Sequence, residues 1–323
     1  MAANVTIATV ARLANVSRQT VSNVLNTPDL VRAETRERVR AAIEELGYRA
    51  NLAARQMRTG RSKLIAVRID PVREGVETTV LDRFLHGLTD AAALAGYRVM
   101  LYTAIDDRTE IATYEDLLAS YALDAFVLTH THHGDSRTAW LANAGVPFTT
   151  FGRPWGGIDK HPWVDVDGAA GTAAATRHLL AIGHRRIGFL GWPKGSGVGD
   201  DRQQGWRTAM SEAGCDVKRL DRHTVDGLAE GERVAADMLR MRQPPTALVC
   251  ASDTLALGAQ RAADIPVIGF DDSPMVQTAG ISSIRQPLGE AAAECMRLLC
   301  SLLDKGLRDT PGHVLLTPDL IIR

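Results

Sequence analysis

The sequence has few cysteines and no long apolar run, and each shortage excludes a class of protein. Cys215, Cys250, Cys295 and Cys300 form no CxxC pair and are too few for a disulfide scaffold. We therefore expect reduced thiols in a cytoplasmic protein. No run of about 18 apolar residues occurs, and Arg12 interrupts the apolar stretch near the amino terminus. These features argue against a membrane span and a signal peptide.

Motifs for cofactors and catalysis are incomplete. GSGVGD lacks the third glycine of a dinucleotide loop because Asp200 stands there, and no GK[ST] follows. THTHHGD (His130, His132, His133, Asp135) could ligate a metal, but it is one loop without a distant partner at standard spacing. A polar loop at the edge of a cleft is the preferred interpretation. No Ser/His/Asp set has a nucleophile elbow, so we expect no enzymatic activity. Because the dinucleotide and metal motifs are incomplete, we also expect no cofactor and no metal.

A short helix with one polar face is predicted near the amino terminus. Ser17 suits the N-cap position, where its hydroxyl can accept a backbone N–H. Val16 and Val21 can form a hydrophobic staple, and Val21, Val24 and Leu25 form an apolar stripe. The opposite face carries side chains that can read base edges in a major groove: Arg18, Gln19, Ser22 and Asn23.

The residues around this helix predict a three-helix unit. An amphipathic helix capped by Thr6 precedes it, and Asn15 tolerates the positive φ that a tight turn between the two helices needs. A third helix is predicted from about Ala33 to Leu46, with Gly47 as its stop. The first two helices form a helix-turn-helix pattern. An ordinary helical hairpin packed on a core is the alternative.

Charge is distributed unevenly along the chain. The net charge is only −1, yet residues 1–63 hold 11 Lys and Arg against 5 Asp and Glu, or +6, which leaves −7 for the remainder. A basic amino-terminal part fits binding of a polyanion at one end. The segment 50–62 is polar, basic and rich in alanine, and is typical of a linker or of a helix that forms on binding.

From residue 63 onward, short apolar runs alternate with amphipathic stretches, as in βαβ units with a parallel sheet. Two doubly wound subdomains with a cleft at the carboxyl ends of their strands are predicted. The predicted strands are 64–69, 97–102, 125–129 and 146–151, then 163–166, 186–190, 247–251 and 267–270. The predicted helices are 81–95, 109–120 and 137–144, then 169–182, 202–213, 229–242 and 253–262.

Polar residues after these strands are candidates for a ligand site in the cleft. Asp167, Arg202, Ser252 and Asp271 could together surround sugar hydroxyls. The alternative for Asp167 and Asp271 is that they only cap the following turns or helices. We also predict that at least one tryptophan in loops on the cleft side stacks on a sugar, from the set Trp155, Trp163 and Trp192.

Several segments along the whole chain resemble one family. VARLANVSRQTVSNVLN, ETRERV, ELGY and NLAARQMRTGRS are followed in order by GHRRIGFLG, ASDTLALG, VIGFDD and SIRQP. Together they resemble the lactose/galactose-repressor family. The resemblance implies a periplasmic-binding-protein-like core, effector contacts from Asp167, Arg202 and Asp271, and DNA contacts in the headpiece and hinge. The complete set of predicted DNA-binding residues is Thr6, Ser17, Arg18, Gln19, Thr20, Ser22, Asn23, Asn26, Asn51, Ala54 and Met57.

The chain departs from the family pattern at five headpiece and hinge positions. Asn15 replaces the usual turn glycine, and Asn23 replaces an arginine common late in the recognition helix. Arg32 stands where a capping serine is usual, and Ala50 where a proline often precedes the hinge. Met57 occupies the position of the minor-groove leucine. The segment 259–266 is also shorter than usual. The substitution at Asn23 and the identity of Arg18 bear most directly on which bases are read.

The resemblance implies a homodimeric repressor that binds a palindromic operator in double-stranded DNA and responds to a sugar, without a membrane association. The expected division is a headpiece at 1–49, a hinge at 50–62 and an effector-binding and dimerisation core at 63–323. The first subdomain is expected at about 63–161 and 286–311, and the second at about 162–285 and 312–323. Alternatives are a sugar-binding receptor without DNA function, a corepressor-dependent regulator that responds to a non-sugar metabolite, and a sugar-converting enzyme.

Overall fold

The computed structural model describes residues 5–48, 60–69, 79–156, 160–262, 264–305 and 312–323. The chain divides into two compact units, Met1–Ser62 and Lys63–Arg323. Among the described helices, none combines the length and the apolar character that crossing a bilayer requires. The predicted hinge contacts Asn51, Ala54 and Met57 lie outside the described residues.

The amino-terminal unit contains the three predicted helices: α1 (Ile7–Leu13), α2 (Arg18–Asn26) and α3 (Ala33–Glu45). A short 3-10 turn, Pro28–Leu30, joins α2 to α3. The turn between α1 and α2 depends on Asn15, whose φ is +48°, and Gly47 follows α3 with a φ of +58°. Both residue types tolerate this left-handed backbone, so the predicted turn and stop are confirmed.

The core of this unit is formed by small and β-branched side chains from all three helices. Val10 of α1, Val21 and Val24 of α2, and Val39 of α3 are buried together. Leu25 differs from the prediction, because it is 38% exposed. It lies about 100° around the helix from Val24, so it is turned away from the contact with α1 and α3. The apolar stripe of α2 is therefore narrower than expected.

The described residues of the second unit form two six-stranded sheets. The first sheet is parallel throughout, in the order β11-β5-β4-β3-β1-β2. Its strands are β1 (Leu64–Ile69), β2 (Arg98–Thr103), β3 (Ala125–Leu128), β4 (Phe148–Phe151), β5 (Trp163–Val166) and β11 (His313–Leu316). Its helices are α4 (Thr79–Leu94), α5 (Asp107–Tyr121), α6 (Ser136–Asn143) and α12 (Leu288–Lys305).

The second sheet has the order β12-β10-β9-β8-β6-β7, with only β12 antiparallel to its neighbour. Its strands are β6 (Ile187–Gly191), β7 (Asp221–His223), β8 (Ala247–Cys250), β9 (Val267–Phe270), β10 (Ser282–Arg285) and β12 (Asp319–Ile321). Its helices are α7 (Gly168–Ala181), α8 (Val198–Glu212), α9 (Leu228–Leu239), α10 (Asp253–Ala262) and α11 (Pro274–Thr278).

Alternating side chains of the first sheet supply two separate apolar layers. Ile65 and Val67 of β1 pack with α4 and α12 on one face, whereas Ala66 packs with α5 and α6 on the other. This is the period of two that a strand buried on both faces requires. Cys250 lies in the apolar core of the second sheet and Cys295 in a core of the first, and the four cysteines are free thiols.

The subdomains exchange chain segments differently from the sequence prediction. Residues 163–166 and 313–316 were assigned to the second subdomain, but β5 pairs with β4 and β11 pairs with β5 in the first sheet. Apolar patterning identifies a strand but not the sheet that it joins, and this was the cause of the error. The chain crosses between the sheets after β5, after β10 and after β11.

Candidate functional site

The start of α2 is fixed by its own polar side chains. The Ser17 hydroxyl accepts the backbone N–H of Thr20 at 3.0 Å, and the two side-chain oxygens are 2.9 Å apart. The N-cap predicted for Ser17 is therefore confirmed. Thr6 stands at the N-cap of α1, where its backbone N–H donates to the Thr9 hydroxyl at 3.4 Å and the two hydroxyl oxygens lie 3.2 Å apart. These caps set where each helix begins and so which side chains share a face.

The polar face of α2 presents the predicted base-reading residues. Arg18 and Gln19 are exposed, and Ser22 and Asn23 are half-buried. Gln19 Nε2 donates a hydrogen bond to Asn23 Oδ1 at 2.9 Å. The two amides thus form a pair on the surface of the helix, a contact that the sequence pattern did not predict. Asn26 is the last residue of α2.

In the second unit, a buried ion pair lies beside the carboxyl end of β9, a central strand of the second sheet. Arg202 Nη2 is 3.7 Å from Asp271 Oδ1, and both side chains are largely buried. Burial raises the pKa of Asp271 to about 7, although Arg202 opposes the shift. Burial likewise lowers the pKa of Arg202, against the neighbouring carboxylates. Arg202 lies in the second turn of α8 rather than at its first residue, because this helix begins four residues earlier than predicted.

The Arg202 guanidinium is held between aromatic rings. Its central carbon lies 3.6 Å from the ring centre of Phe270 and 5.1 Å from that of Trp192, and Nη1 donates to the carbonyl oxygen of Ala251. Among the described residues, two buried donor nitrogens of this cluster have no hydrogen-bond partner: Arg202 Nε and Trp192 Nε1. A buried donor without a partner costs about 1–3 kcal/mol, so an oxygen-rich ligand bound here would satisfy donors that the protein alone does not.

Further polar side chains surround this pair. The Ser252 hydroxyl donates to Asp226 Oδ1 at 2.5 Å and accepts the backbone N–H of Leu255, so it also caps α10. Gln286 Nε2 donates to Asp271 Oδ1 at 2.6 Å. The sequence pattern missed Asp226 and Gln286 because they follow β7 and β10, two short strands that were not predicted. Both residues follow the carboxyl end of a strand, and this position would have identified them as candidates if the two strands had been predicted.

Asp167 performs the capping role that was its alternative interpretation. Its Oδ1 accepts the backbone N–H of Ala170 at 2.8 Å, at the start of α7. A neighbouring carboxylate, Asp201 of α8, joins the two subdomains instead. Arg153 Nη2, from the loop after β4, donates to Asp201 Oδ2 at 3.2 Å, and its Nε donates to Asp165 at 2.6 Å. This cross-subdomain bond was not predicted.

The three tryptophans occupy different environments. Trp192 directly follows β6, in a loop as predicted, and its ring lies beside Arg202. Trp155 follows β4, but its ring already packs against Gly197 and lies 4.8 Å from the Arg153 guanidinium. Trp163 does not belong to this group, because it begins β5 and stacks on His313 of β11 at 4.8 Å. It lies at the amino end of its strand, opposite the cleft-facing carboxyl end.

The polar loop after β3 is held by a buried arginine. Arg137 donates to the carbonyl oxygens of Thr129 and His130, and to the carboxylates of Asp135 and Glu110. Asp107, His132 and Asp135 offer ligand atoms within 4.8 Å of one another, as a metal site would. Arg137 also lies 3.6 Å from the Asp107 carboxylate, so a cation already neutralises both acids. This supports the polar-loop interpretation over a metal site.

A cavity of about 420 Å³ lies beside this loop. Its lining comes from the loop after β3, from α6, from β4 and from the loop that contains Trp155 and His161. It does not include Arg202 or Asp271. The cavity and the buried ion pair are therefore distinct features of the second unit.

A helix-turn-helix unit, followed by two largely parallel sheets with a buried polar cluster at the strand ends of the second, defines a class of ligand-responsive DNA-binding proteins. Residues 2–51 match the model for bacterial regulatory proteins of the lacI family, and residues 176–323 match a periplasmic binding protein-like domain. The HTH-type transcriptional regulator AglR of Rhizobium meliloti (strain 1021) is 33% identical over 97% of this chain and 92% of its own length. The chain belongs to the LacI family and is a DNA-binding transcriptional regulator.

Other relatives match nearly the whole chain. The HTH-type transcriptional regulator CelR of Thermobifida fusca is 32% identical over 98% of this chain and 97% of its own. The structure of a CelR–cellobiose complex matches with a TM-score of 0.72 at 29% identity, over 99% of both chains. A Lac repressor dimer bound to operator and an anti-inducer matches with a TM-score of 0.81 at 26% identity, over 99% of this chain and 98% of that chain. The predicted family and fold class are confirmed.

Proposed function

We propose that this regulator is a repressor whose operator affinity is controlled by a sugar bound beside Arg202 and Asp271. The observation that carries the proposal is the buried Arg202–Asp271 pair, together with the unpartnered nitrogens of Arg202 and Trp192. Sugar hydroxyls both donate and accept, so one hydroxyl can accept from Arg202 while it donates to a carboxylate. Each such charge-assisted bond is worth about 1.5–3 kcal/mol.

The aromatic surroundings support a glycoside or an oligosaccharide as the effector. Trp192 offers a flat face next to the ion pair, and such faces suit the apolar side of a pyranose ring. A relative of this chain forms a complex with cellobiose, which is in line with this effector class. The Trp155 ring already contacts Gly197 and Arg153. It would have to move away from them before it could stack on a sugar.

On the DNA side, we propose a homodimer that places two α2 helices in successive half-sites of a palindrome, since a two-fold protein matches two-fold DNA. Arg18, Gln19, Ser22 and Asn23 would contact bases, and Thr6, Ser17, Thr20 and Asn26 would contact the backbone or its surroundings. The hinge would supply further contacts from Asn51, Ala54 and Met57. The protein would act in the cytoplasm without a catalytic step. The match to a regulator headpiece counts against a sugar receptor without DNA function.

A thermal-shift screen of mono- and oligosaccharides, with non-sugar metabolites as a second arm, tests the effector class. A ligand at about 100 times its Kd should stabilise the protein by roughly 2.7 kcal/mol. Arg202→Lys keeps the charge and the aliphatic stem but loses the forked nitrogens, so it should abolish the shift and leave operator binding intact.

Arg177→Lys is the matched control, because Arg177 forms an exposed pair with Glu212 within the second subdomain alone. It should respond to the sugar as the parent does. Stabilisation by a non-sugar metabolite alone, or an undiminished sugar shift in Arg202→Lys, would overturn the proposed effector or its position.

A further inference from the structure

We propose that Gln19 and Asn23 read two neighbouring bases as one coupled unit, in which each amide fixes the hydrogen-bonding pattern that the other presents to DNA. The inference rests on the proposed base-reading role of these residues. It starts from the hydrogen bond that Gln19 Nε2 donates to Asn23 Oδ1 at 2.9 Å, on the polar face of α2. Residues four apart on a helix are surface neighbours, so both amides reach the same groove edge.

The pairing is selective because the adjacent polar side chains are already engaged. Ser17 and Thr20 bond to each other at the start of the helix, with the Thr20 backbone N–H as a second donor to Ser17. Because these two hydroxyls are already engaged, the Gln19 amide forms its hydrogen bond with Asn23, one turn further along the helix. An exposed amide would otherwise sample several rotamers, and ordering it on binding DNA would cost conformational entropy.

The shared hydrogen bond determines what each amide has left to offer. An amide has two N–H donors and a carbonyl oxygen with two lone pairs, and in Asn23 this oxygen already accepts from Gln19. Gln19 uses one N–H on Asn23 and keeps one N–H and its carbonyl, which match N7 and the N6 amino group of adenine. Asn23 has its carbonyl directed at Gln19 and presents its N–H groups outward. Its partner base must then offer acceptors, as guanine does with O6 and N7 or thymine with O4, and cytosine with its amino donor is rejected.

This assignment differs from independent reading. An isolated asparagine pairs with adenine through both of its amide groups, and so does an isolated glutamine. Coupling leaves the adenine preference to Gln19 and converts Asn23 into a donor. It also predicts that a change at Asn23 alters the base preference at the position that Gln19 reads.

The test uses the full-length protein and a library of DNA duplexes with randomised half-sites, followed by competition binding on the selected sequences. In the parent, one position should select adenine and its neighbour should exclude cytosine. Asn23→Ala should broaden both positions, because Gln19 loses the partner that orients it. Gln19→Ala and Asn23→Ala should each weaken binding to the selected sequence by about 5- to 150-fold. The double variant should lose much less than the product of the two single losses.

Asn23→Asp provides the sharper arm. Its carboxylate still accepts from Gln19 Nε2 but has no N–H to offer. The adenine preference should therefore persist, while the neighbouring position switches toward cytosine, whose amino group can donate to a carboxylate. The added negative charge lowers affinity for all sequences alike, so base preference rather than affinity is the readout. Gln204→Ala removes a similar exposed hydrogen bond between residues four apart, in α8 of the second unit, and should leave the adenine preference unchanged.

The outcomes separate the two levels of inference. If each single variant changes one base position only and the losses multiply, the residues read independently and the coupled unit is wrong, although both remain base readers. If neither variant changes any base preference, the base-reading role itself fails. Unfolding of the variants would not explain either result, because alanine has a higher helix propensity than asparagine. Circular dichroism of each variant verifies the helix content.

Discussion

Asp271 illustrates at the scale of single residues how a ligand site is held in readiness by burial. Its pKa is raised to about 7 chiefly by desolvation, against the effect of Arg202 and of the Gln286 hydrogen bond. Near neutral pH the carboxyl group is thus divided between its two forms. The ionised form only accepts hydrogen bonds, whereas the protonated form also donates one O–H, so the protonation state of this one group decides which hydrogen bonds a bound hydroxyl can form with it.

Replacement of Asp271 by asparagine should remove a pH dependence of stability. An acid with a higher pKa in the folded than in the unfolded protein stabilises the fold at low pH. This contribution is fully present below the ordinary pKa of 3.8 and is lost as the pH rises through about 7. An asparagine side chain cannot ionise, so the difference in Tm, Asp271→Asn minus parent, should rise between about pH 4 and pH 7 and level off above.

Asp253, whose pKa burial raises to about 6, titrates in the same range in both proteins, and its charge also raises the pKa of Asp271, so the difference includes the coupling between the two groups. A Tm difference that stays constant across the range would show that Asp271 does not titrate in this way. Calorimetry at several pH values provides the measurement.

At the scale of secondary-structure elements, the position of Arg202 depends on how closely α8 approaches α7. A Cβ on Gly205 of α8 would collide with the carbonyl oxygen of Ala169 and the hydroxyl of Thr172. The same Thr172 hydroxyl donates to the carbonyl oxygen of Arg202 at 2.6 Å. Gly205 therefore permits the close approach of α8 to α7 in which the Thr172 hydroxyl binds the backbone of Arg202.

We expect Gly205→Ala to destabilise the fold by about 1–3 kcal/mol, although alanine is the better helix former. Gly289→Ala in α12 is the matched control, since a Cβ there meets no atom within 4 Å. It should be neutral or stabilising by less than about 1 kcal/mol. Denaturant unfolding of both variants decides the matter, and equal effects would show that the helices can separate without cost.

The elements that sequence analysis recognised are those with strong apolar patterns. The buried strands 64–69 and 267–270 and the helices of the headpiece were predicted within a few residues, because burial and capping leave a local signal. β7 (DRH) and β10 (SSIR) contain little apolar sequence, and they are strands because an adjacent strand offers hydrogen bonds. That information is not local, and Asp226 and Gln286, which follow these strands, were missed with them. α12, β11 and β12 were not predicted either.

At the scale of the whole molecule, polar contacts connect the two subdomains of the second unit. Arg153 of the first subdomain donates to Asp201 of the second at 3.2 Å, and Arg83 of α4 donates to the carbonyl oxygen of Asp271 at 3.1 Å. The second bond places a residue of α4 directly on the candidate effector site. Opening and closing of the cleft would break and form both bonds.

Arg153→Met should shift the free protein toward an open arrangement by about 1–3 kcal/mol, because a charge-assisted bond between the subdomains is lost while the aliphatic stem remains. Small-angle scattering should then give a larger radius of gyration than that of the parent. Arg177→Met, which removes an exposed pair within the second subdomain, should leave the scattering unchanged. Identical scattering from Arg153→Met and the parent would mean that other contacts hold the cleft closed.

The placement of β11 and β12 has a consequence for biosynthesis. One strand completes the edge of the first sheet and the other completes the edge of the second, and only residues 317–318 separate them. A nascent chain leaves the ribosome from its amino end, so neither sheet can acquire its last strand until residues 313–321 have emerged. Until then β5 and β10 each present an unpaired edge of the kind that invites aggregation or a chaperone. We therefore expect both subdomains to reach their native state together, after translation of these residues rather than one after the other.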